Sequence, residues 1–298
     1  MHNITFEKFS QEVEKYKSLK KEFENLFDVY KEVSRVQFRY GEKIDVPFHF
    51  EEGEEINNYL REGNYLLNDK VLDIDIEELK EIMTEIAHAV FKDDIKASEK
   101  VEKLKQLPIF EDNVLSELLQ NKGGITPEYL EKYLREQNIE IQDDDIEPEI
   151  IIDIFFAALS PYYMNYANKA NEITDFALWS SGYCPVCGQK PMMAKLRRDN
   201  SARVLECWLC HTQWEFSRLE CPYCNNRDHY KLGYFYVEEE KARRINICEK
   251  CKSYLKTVNL KEIGREVILD VENVFTVDLD SAAQERGYKP GQDLSLLN

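Results

Sequence analysis

Apolar residues recur through the first 180 residues at the spacing of helix faces, and the pattern changes character after that. From Phe6 to about Val33 they fall at Phe9, Val13, Tyr16, Phe23, Phe27 and Tyr30, with charged residues between them. Steps of three, four and seven keep such side chains on one face of a 3.6-residue helix, so the segment predicts one long amphipathic helix. Ile76, Leu79, Ile82, Met83, Ile86, Ala87, Val90 and Phe91 predict another, with Asp73 or Asp75 as its N-cap and Glu77 and Glu78 in the first turn, where carboxylates suit the helix dipole. Shorter helices are predicted over residues 113–120 and from Pro127 to about Glu136, the latter opened by Thr126-Pro127 after the Gly123-Gly124 break. An acidic turn over 142–148 leads into a last helical run through Ile151, Ile154, Phe155, Ala158 and Leu159 and on to Trp179.

From Gly182 onward the chain reads as short Tyr- and Val-containing segments. Strands are predicted over residues 192–196, 203–206, 231–238, 244–247 and 254–260. Between them lie four Cys-x-x-Cys pairs, Cys184/Cys187, Cys207/Cys210, Cys221/Cys224 and Cys248/Cys251, which account for all eight cysteines. Two thiolates separated by two residues point into one small loop, and two facing loops supply the all-sulfur tetrahedron that zinc or iron takes. Eight cysteines thus fit two four-coordinate sites, each holding one iron or zinc ion. Sequential pairing leaves 19 and 23 residues between the pairs, lengths that suit a returning hairpin, whereas an interleaved pairing needs longer crossings. Pro185 and Pro222 sit between ligands, and Gly188 and Asn225 follow the second one, where a tight turn can require positive φ. Backbone N–H groups in such turns donate to the sulfurs. With four sulfurs per site, His211 and His229 are read as packing or surface side chains. Trp208 and Trp214 are expected to pack beside the first site.

A disulfide framework is the alternative for this spacing. The other 290 residues hold no cysteine, and Met1 to Phe6 run directly into a charged pattern rather than a basic-then-apolar leader, so the expectation is a cytoplasmic metal protein. No run of apolar residues approaches a bilayer span, because Asp153 interrupts the stretch from Ile150 to Leu159. A chain of 298 residues with 43% hydrophobic and 12% aromatic content can build a full core. The formal charge of −18 is unevenly placed: residues 1–180 carry 40 acidic and 21 basic side chains, the remainder 17 and 18. The expected fold class is therefore α+β and multidomain, with an acidic helical domain over 1–180, a first four-cysteine, rubredoxin-like or zinc-ribbon module over 181–216, and a second over 217–298 with a C-terminal tail.

The same numbers weigh on function. A field this negative repels a polyanion, and the only basic spots are Arg197-Arg198 with Arg203 and Lys241 with Arg243-Arg244, so a zinc-ribbon nucleic-acid reader is disfavoured. A rubredoxin-like electron carrier or a dithiol–disulfide cycler stays open, since four sulfurs suit iron as well as zinc. The chain has no Gly-rich phosphate loop, Gly-x-Ser-x-Gly elbow or His-Glu-x-x-His, and His88 stands alone on its helix, so an enzyme is not expected. The carboxylate-rich segments 51–55 and 143–145 are read as solvated loops, lacking the spaced ligand set of a calcium site.

The cysteine half resembles the formate dehydrogenase accessory protein FdhE family. The resemblance is carried by Trp179-Ser-Ser-Gly-Tyr-Cys-Pro-Val-Cys-Gly-Gln-Lys-Pro191, Arg203-Val-Leu-Glu-Cys-Trp-Leu-Cys-His-Thr-Gln-Trp214, Arg218-Leu-Glu-Cys-Pro-Tyr-Cys224 and Cys248-Glu-Lys-Cys-Lys-Ser-Tyr-Leu-Lys256. Phe155-Phe-Ala-Ala-Leu-Ser-Pro161 and the end segment with Asp278-Leu-Asp280, Ala282-Ala283 and Gly287-Tyr288 are similar as well. The resemblance spans roughly residues 150–290. It implies a cytoplasmic, non-enzymatic chaperone-like protein with Cys184, Cys187, Cys207, Cys210, Cys221, Cys224, Cys248 and Cys251 as metal ligands. It also implies that the partner is the catalytic, molybdenum- or tungsten-containing subunit of respiratory formate dehydrogenase, met before export.

Overall fold

In the computed structural model, residues 4–122, 124–137, 146–237 and 240–291 are described. The N-terminal region is helical: α1 Phe6–Leu19, α2 Glu24–Gly41, α3 Gly53–Arg61, α4 Ile76–Val90, α5 Ala97–Leu104, α6 Asp112–Leu119, α7 Pro127–Glu136 and α8 Pro148–Ile173. A sheet-containing region follows, with β1 Pro191–Leu196, β2 Arg203–Cys207, β3 Gln213–Glu215, β4 Leu232–Tyr236, β5 Arg243–Cys248 and β6 Ser253–Asn259. Three short helices, α9 Leu260–Ile263, α10 Leu269–Phe275 and α11 Val277–Gln284, and the two-residue β7 Lys289–Pro290 complete it.

The helix starts expected from the sequence are built as their caps require. Asp75 accepts from the Glu78 N–H at 2.9 Å and Thr126 from the Tyr129 N–H at 3.1 Å, each satisfying a donor that the first turn leaves open. The single helix expected from Phe6 to Val33 is instead two. Its apolar stripe lapses between Tyr16 and Phe23, leaving Leu19 64% exposed, and at Lys20 the chain leaves helical geometry (φ −129°, ψ 75°). The two pieces fold back on each other, with the Phe9 ring centroid 5.5 Å from that of Phe38 and 5.7 Å from that of Tyr30. The run expected to continue to Trp179 stops at Ile173, where Thr174 turns extended and its Oγ1 accepts from the Phe176 N–H. Of the carboxylate-rich segments, 53–55 opens α3 rather than a loop, and 143–145 lies outside the described residues, as does most of the acidic turn over 142–148.

All five expected strands form. They join one sheet in the order β3-β2-β1-β6-β5-β4, with β7 beside β6. The two cysteine hairpins meet at its centre, where β1 and β6 run parallel with Ala194 opposite Thr257. The principal core extends from the helices into the first hairpin: Phe155, Leu159 and Tyr163 of α8 share it with Cys184, Cys187, Cys207 and Cys210. The α1–α2 hairpin closes a second cluster against α10, through Phe9, Tyr16, Phe27, Val271 and Phe275. Tyr16 donates to the fully buried Glu272, which also receives Arg243 Nε at 2.7 Å and Nη2 at 3.1 Å. This pairing fastens the first helix to β5 and α10.

Candidate metal centres

Each Cys-x-x-Cys pair lies in a tight turn whose residue after the second cysteine is left-handed. Gly188 (φ 75°), His211 (φ 55°), Asn225 (φ 54°) and Lys252 (φ 59°) occupy the same place in the four turns. In three of them this residue's N–H donates to the carbonyl of the first cysteine, Gly188 to Cys184 at 3.0 Å, Asn225 to Cys221 at 3.0 Å and Lys252 to Cys248 at 2.8 Å. The positive φ reverses the chain so that both sulfurs of a pair point inward. Gly188 has a second constraint, since a Cβ there would lie 2.7 Å from Cζ of Tyr65.

The eight sulfurs gather as two clusters, Cys184, Cys187, Cys207 and Cys210 in one and Cys221, Cys224, Cys248 and Cys251 in the other. This is the sequential arrangement that the hairpin lengths favour. In the first, Sγ atoms stand 3.5 Å apart for 184/210 and 187/210 and 3.4 Å for 187/207. In the second, 221/251 and 224/248 are each 3.7 Å apart. Four sulfurs about 2.3 Å from one ion in a tetrahedron stand about 3.8 Å from each other, so both clusters fit a metal and neither contains a disulfide.

The charge chemistry of the buried thiols fits a cation as well. Burial drives Cys187 and Cys207 well above the ordinary thiol range. Burial opposes ionisation of Cys210 too, but hydrogen bonds from Cys184, Cys187 and Cys207 outweigh it and lower its pKa. Together the four do not sustain four negative charges in an apolar core, and a dication among them offsets that charge. The chain supplies lesser help: the Val186 N–H reaches Cys184 Sγ at 3.4 Å, and Thr212 Oγ1 lies 3.1 Å from Cys210 Sγ.

The two centres differ in setting. All four sulfurs of the first are buried. Its turns are held by the helical region: the Leu66 and Leu67 N–H groups donate to the Pro185 and Val186 carbonyls at 2.9 Å, Gln189 to the Ile125 carbonyl at 2.7 Å, and Ser160 Oγ to the Leu209 carbonyl at 2.8 Å. Trp214 is buried beside it and donates to the Ser181 carbonyl, while Trp208 meets Phe156 edge to face at 5.1 Å. In the second centre Cys224 and Cys251 are only half-buried. Burial would raise Cys251, but hydrogen bonds from the Ser253 side chain and backbone outweigh it and bring it to about 7. The centres are also joined: a Cβ on Gly182, just before the first cysteine, would fall 2.1 Å from the Pro222 carbonyl between Cys221 and Cys224.

The arginines that the sequence offered to phosphate are engaged within the protein. Arg203 is buried and donates to the Ser217 and Glu220 carbonyls, Arg197 pairs with Glu215 at 2.6 Å, and Arg243 is held by Glu272. His211 is not a surface side chain. It is buried and places Nδ1 3.0 Å from Asp270 Oδ1. The sequence carries no signal for that contact, because Asp270 comes from α10, which no apolar periodicity announces.

Fold and site define a class: a protein with a helical N-terminal region, followed by one sheet whose hairpins carry two four-cysteine clusters able to hold metal ions. Residues 183–218 match the FdhE central domain. The chain is 32% identical over 149 residues to the Protein FdhE homolog of Aquifex aeolicus, covering 49% of this chain and 52% of the relative. It is 28% identical over 153 residues to that of Pseudomonas aeruginosa, covering 48% of each. It thus spans about half the length of the curated relatives it matches. The crystal structure of the FdhE protein from Pseudomonas aeruginosa superposes with a TM-score of 0.63 over 98% of this chain and 96% of that one, at 18% identity, and shares the fold. The resemblance to the FdhE family stated from the sequence is borne out, with the family's central domain at residues 183–218. Among the described residues no helix is long and apolar enough to cross a membrane.

Proposed function

We propose that this chain is a cytoplasmic accessory protein for respiratory formate dehydrogenase, binding its catalytic subunit before export through a surface stiffened by two metal–thiolate centres. Cys184, Cys187, Cys207 and Cys210 hold one ion and Cys221, Cys224, Cys248 and Cys251 the other, each ion being zinc or iron. The observation that carries the reading is the FdhE central domain at 183–218, folded around a first cluster whose four sulfurs are all buried in the principal core. A centre so enclosed sets shape rather than meeting substrate, as closed four-coordinate sites do. The organisation proposed with it is the helical unit 1–180 and the modules 181–216 and 217–298. The test is affinity capture of the tagged, metal-loaded chain from cells expressing formate dehydrogenase. Recovery of the catalytic subunit supports the reading, and its consistent absence with metal content intact refutes it.

The second centre favours an additional redox reading, because Cys224 and Cys251 are half-buried and Cys251 is the more easily ionised thiol. An iron ion there exchanges an electron with a docked partner through the exposed sulfurs. Protein isolated without oxygen that holds only zinc, and shows no thiol–disulfide cycling, excludes that role.

A further inference from the structure

Beside the first cluster lies a third group of metal-binding side chains, containing no cysteine. Glu206 and His211 immediately flank the Cys207/Cys210 turn, and Asp270 approaches from α10. One donor atom from each lies within 4.8 Å of the other two. The three residues are 2%, 8% and 3% exposed, so these are interior groups rather than a solvated acidic face.

Their hydrogen bonding is incomplete. Glu206 Oε2 accepts from Gln213, but Oε1 has no hydrogen-bond partner among the described residues. His211 Nδ1 is likewise buried without a hydrogen bond, because its 3.0 Å approach to Asp270 Oδ1 lacks the angles of one. An orphaned buried oxygen and nitrogen directed at each other across a carboxylate are costly unless something satisfies them. Charge points the same way. Two carboxylates share this interior site, and among the described residues no lysine or arginine forms an ion pair with either. All three residues also line a cavity of about 230 Å³ with Gln213, Val267 and Asn171, room for an ion and several waters at roughly 30 Å³ each.

We propose that Glu206, His211 and Asp270 form a third metal site that takes a divalent first-row cation of the manganese or iron(II) class. One imidazole and two carboxylates supply nitrogen and oxygen donors without sulfur, which suits these ions and separates the site chemically from its thiolate neighbours. Donors bound at about 2.1 Å stand roughly 3.0–3.5 Å apart at adjacent coordination positions. The His211–Asp270 spacing already meets that, and side-chain shifts below about 1 Å bring in Glu206. Water from the cavity completes the coordination. The site shares its backbone with the Cys207/Cys210 turn, so filling it orders the edge of the first thiolate centre and docks α10 against it. The proposal is independent of the formate dehydrogenase reading.

The experiment uses the full chain with both thiolate centres loaded and their metal counted beforehand. Manganese(II) is titrated in, and the free ion is followed by electron paramagnetic resonance. One saturable equivalent is expected, with spin-echo modulation from a single imidazole nitrogen, and Glu206→Gln and Asp270→Asn should each weaken binding at least tenfold with the thiolate-bound metal unchanged. Absence of saturable binding, binding without nitrogen modulation, or unchanged affinity in both folded variants overturns the proposal. If either variant loses its thiolate-bound metal, the echo measurement on the unaltered chain decides alone, since surface-bound manganese shows no imidazole coupling.

Discussion

Replacing Gly188 by alanine tests how the first cysteine turn is constrained, and the expected cost can be worked from two separate features. The residue sits at φ 75°, which costs an L side chain about 1–2 kcal/mol. Its new Cβ would also stand 2.7, 2.9 and 2.9 Å from Cζ, Cε1 and Cε2 of Tyr65, a ring that must move. Overpacking of that kind costs about 1–3 kcal/mol. Alanine returns about 0.4–1 kcal/mol by narrowing the unfolded ensemble, so the net loss is about 2–4 kcal/mol. With a urea slope near 3 kcal/mol/M, the midpoint of metal-saturated protein should fall by about 1 M. Tyr65→Ala separates the terms. In that background Gly188→Ala should lose its steric component and cost only about 1 kcal/mol, a coupling of about 1–3 kcal/mol in a double-mutant cycle. Metal concentration must match across the four proteins, because bound metal raises apparent stability by mass action. Equal cost in both backgrounds would show that the Tyr65 contact is not what requires glycine. A loss below 0.5 kcal/mol in the parent would refute the backbone argument as well.

Other outcomes follow from the asymmetry of the centres and from the buried ion pair. A strong chelator should remove metal in two phases, the second centre first, because Cys224 and Cys251 are half-buried while the first cluster is enclosed; one common rate for both ions would contradict this. In metal-free protein the alkylation rate of Cys251, mapped by peptide mass, should rise with pH around a midpoint of about 7. The sign follows from the lowered pKa: thiolate accumulates above that pH and reactivity is lost below it, and a midpoint near 9 would rule out the Ser253 hydrogen bonds as its cause. Glu272→Ala leaves Arg243 in the interior without its carboxylate and should cost about 3–5 kcal/mol in urea unfolding. A loss under 1 kcal/mol would mean that water reaches the guanidinium.

Much of the site was legible because it is local. A Cys-x-x-Cys turn closes through residues adjacent in the chain, so Gly188 and Asn225 could be assigned positive φ from sequence, and both have it. His211 and Lys252 hold the same conformation without glycine's or asparagine's signal, and went unnoticed. The helix starts at Asp75 and Thr126 were equally readable, since a cap is a contact over three residues. The break at Lys20 was not foreseen, because periodicity registers which residues face a core and not that the core lies between two antiparallel pieces. Nor were β3, α10 and α11, whose short runs have no recurring face to betray them.

By itself the chain determined its classes of element, the eight sulfurs and their sequential grouping, all of which depend on spacing within a few tens of residues. Only the tertiary structure decided where those sulfurs sit. The parallel pairing of β1 with β6 joins two hairpins into one sheet, and α8 packs against the first of them, leaving one centre enclosed and the other partly open. The same folding brings Asp270 to His211 across 59 intervening positions. Such contacts come from the burial of whole surfaces against each other, a property of the assembled molecule that no local pattern carries.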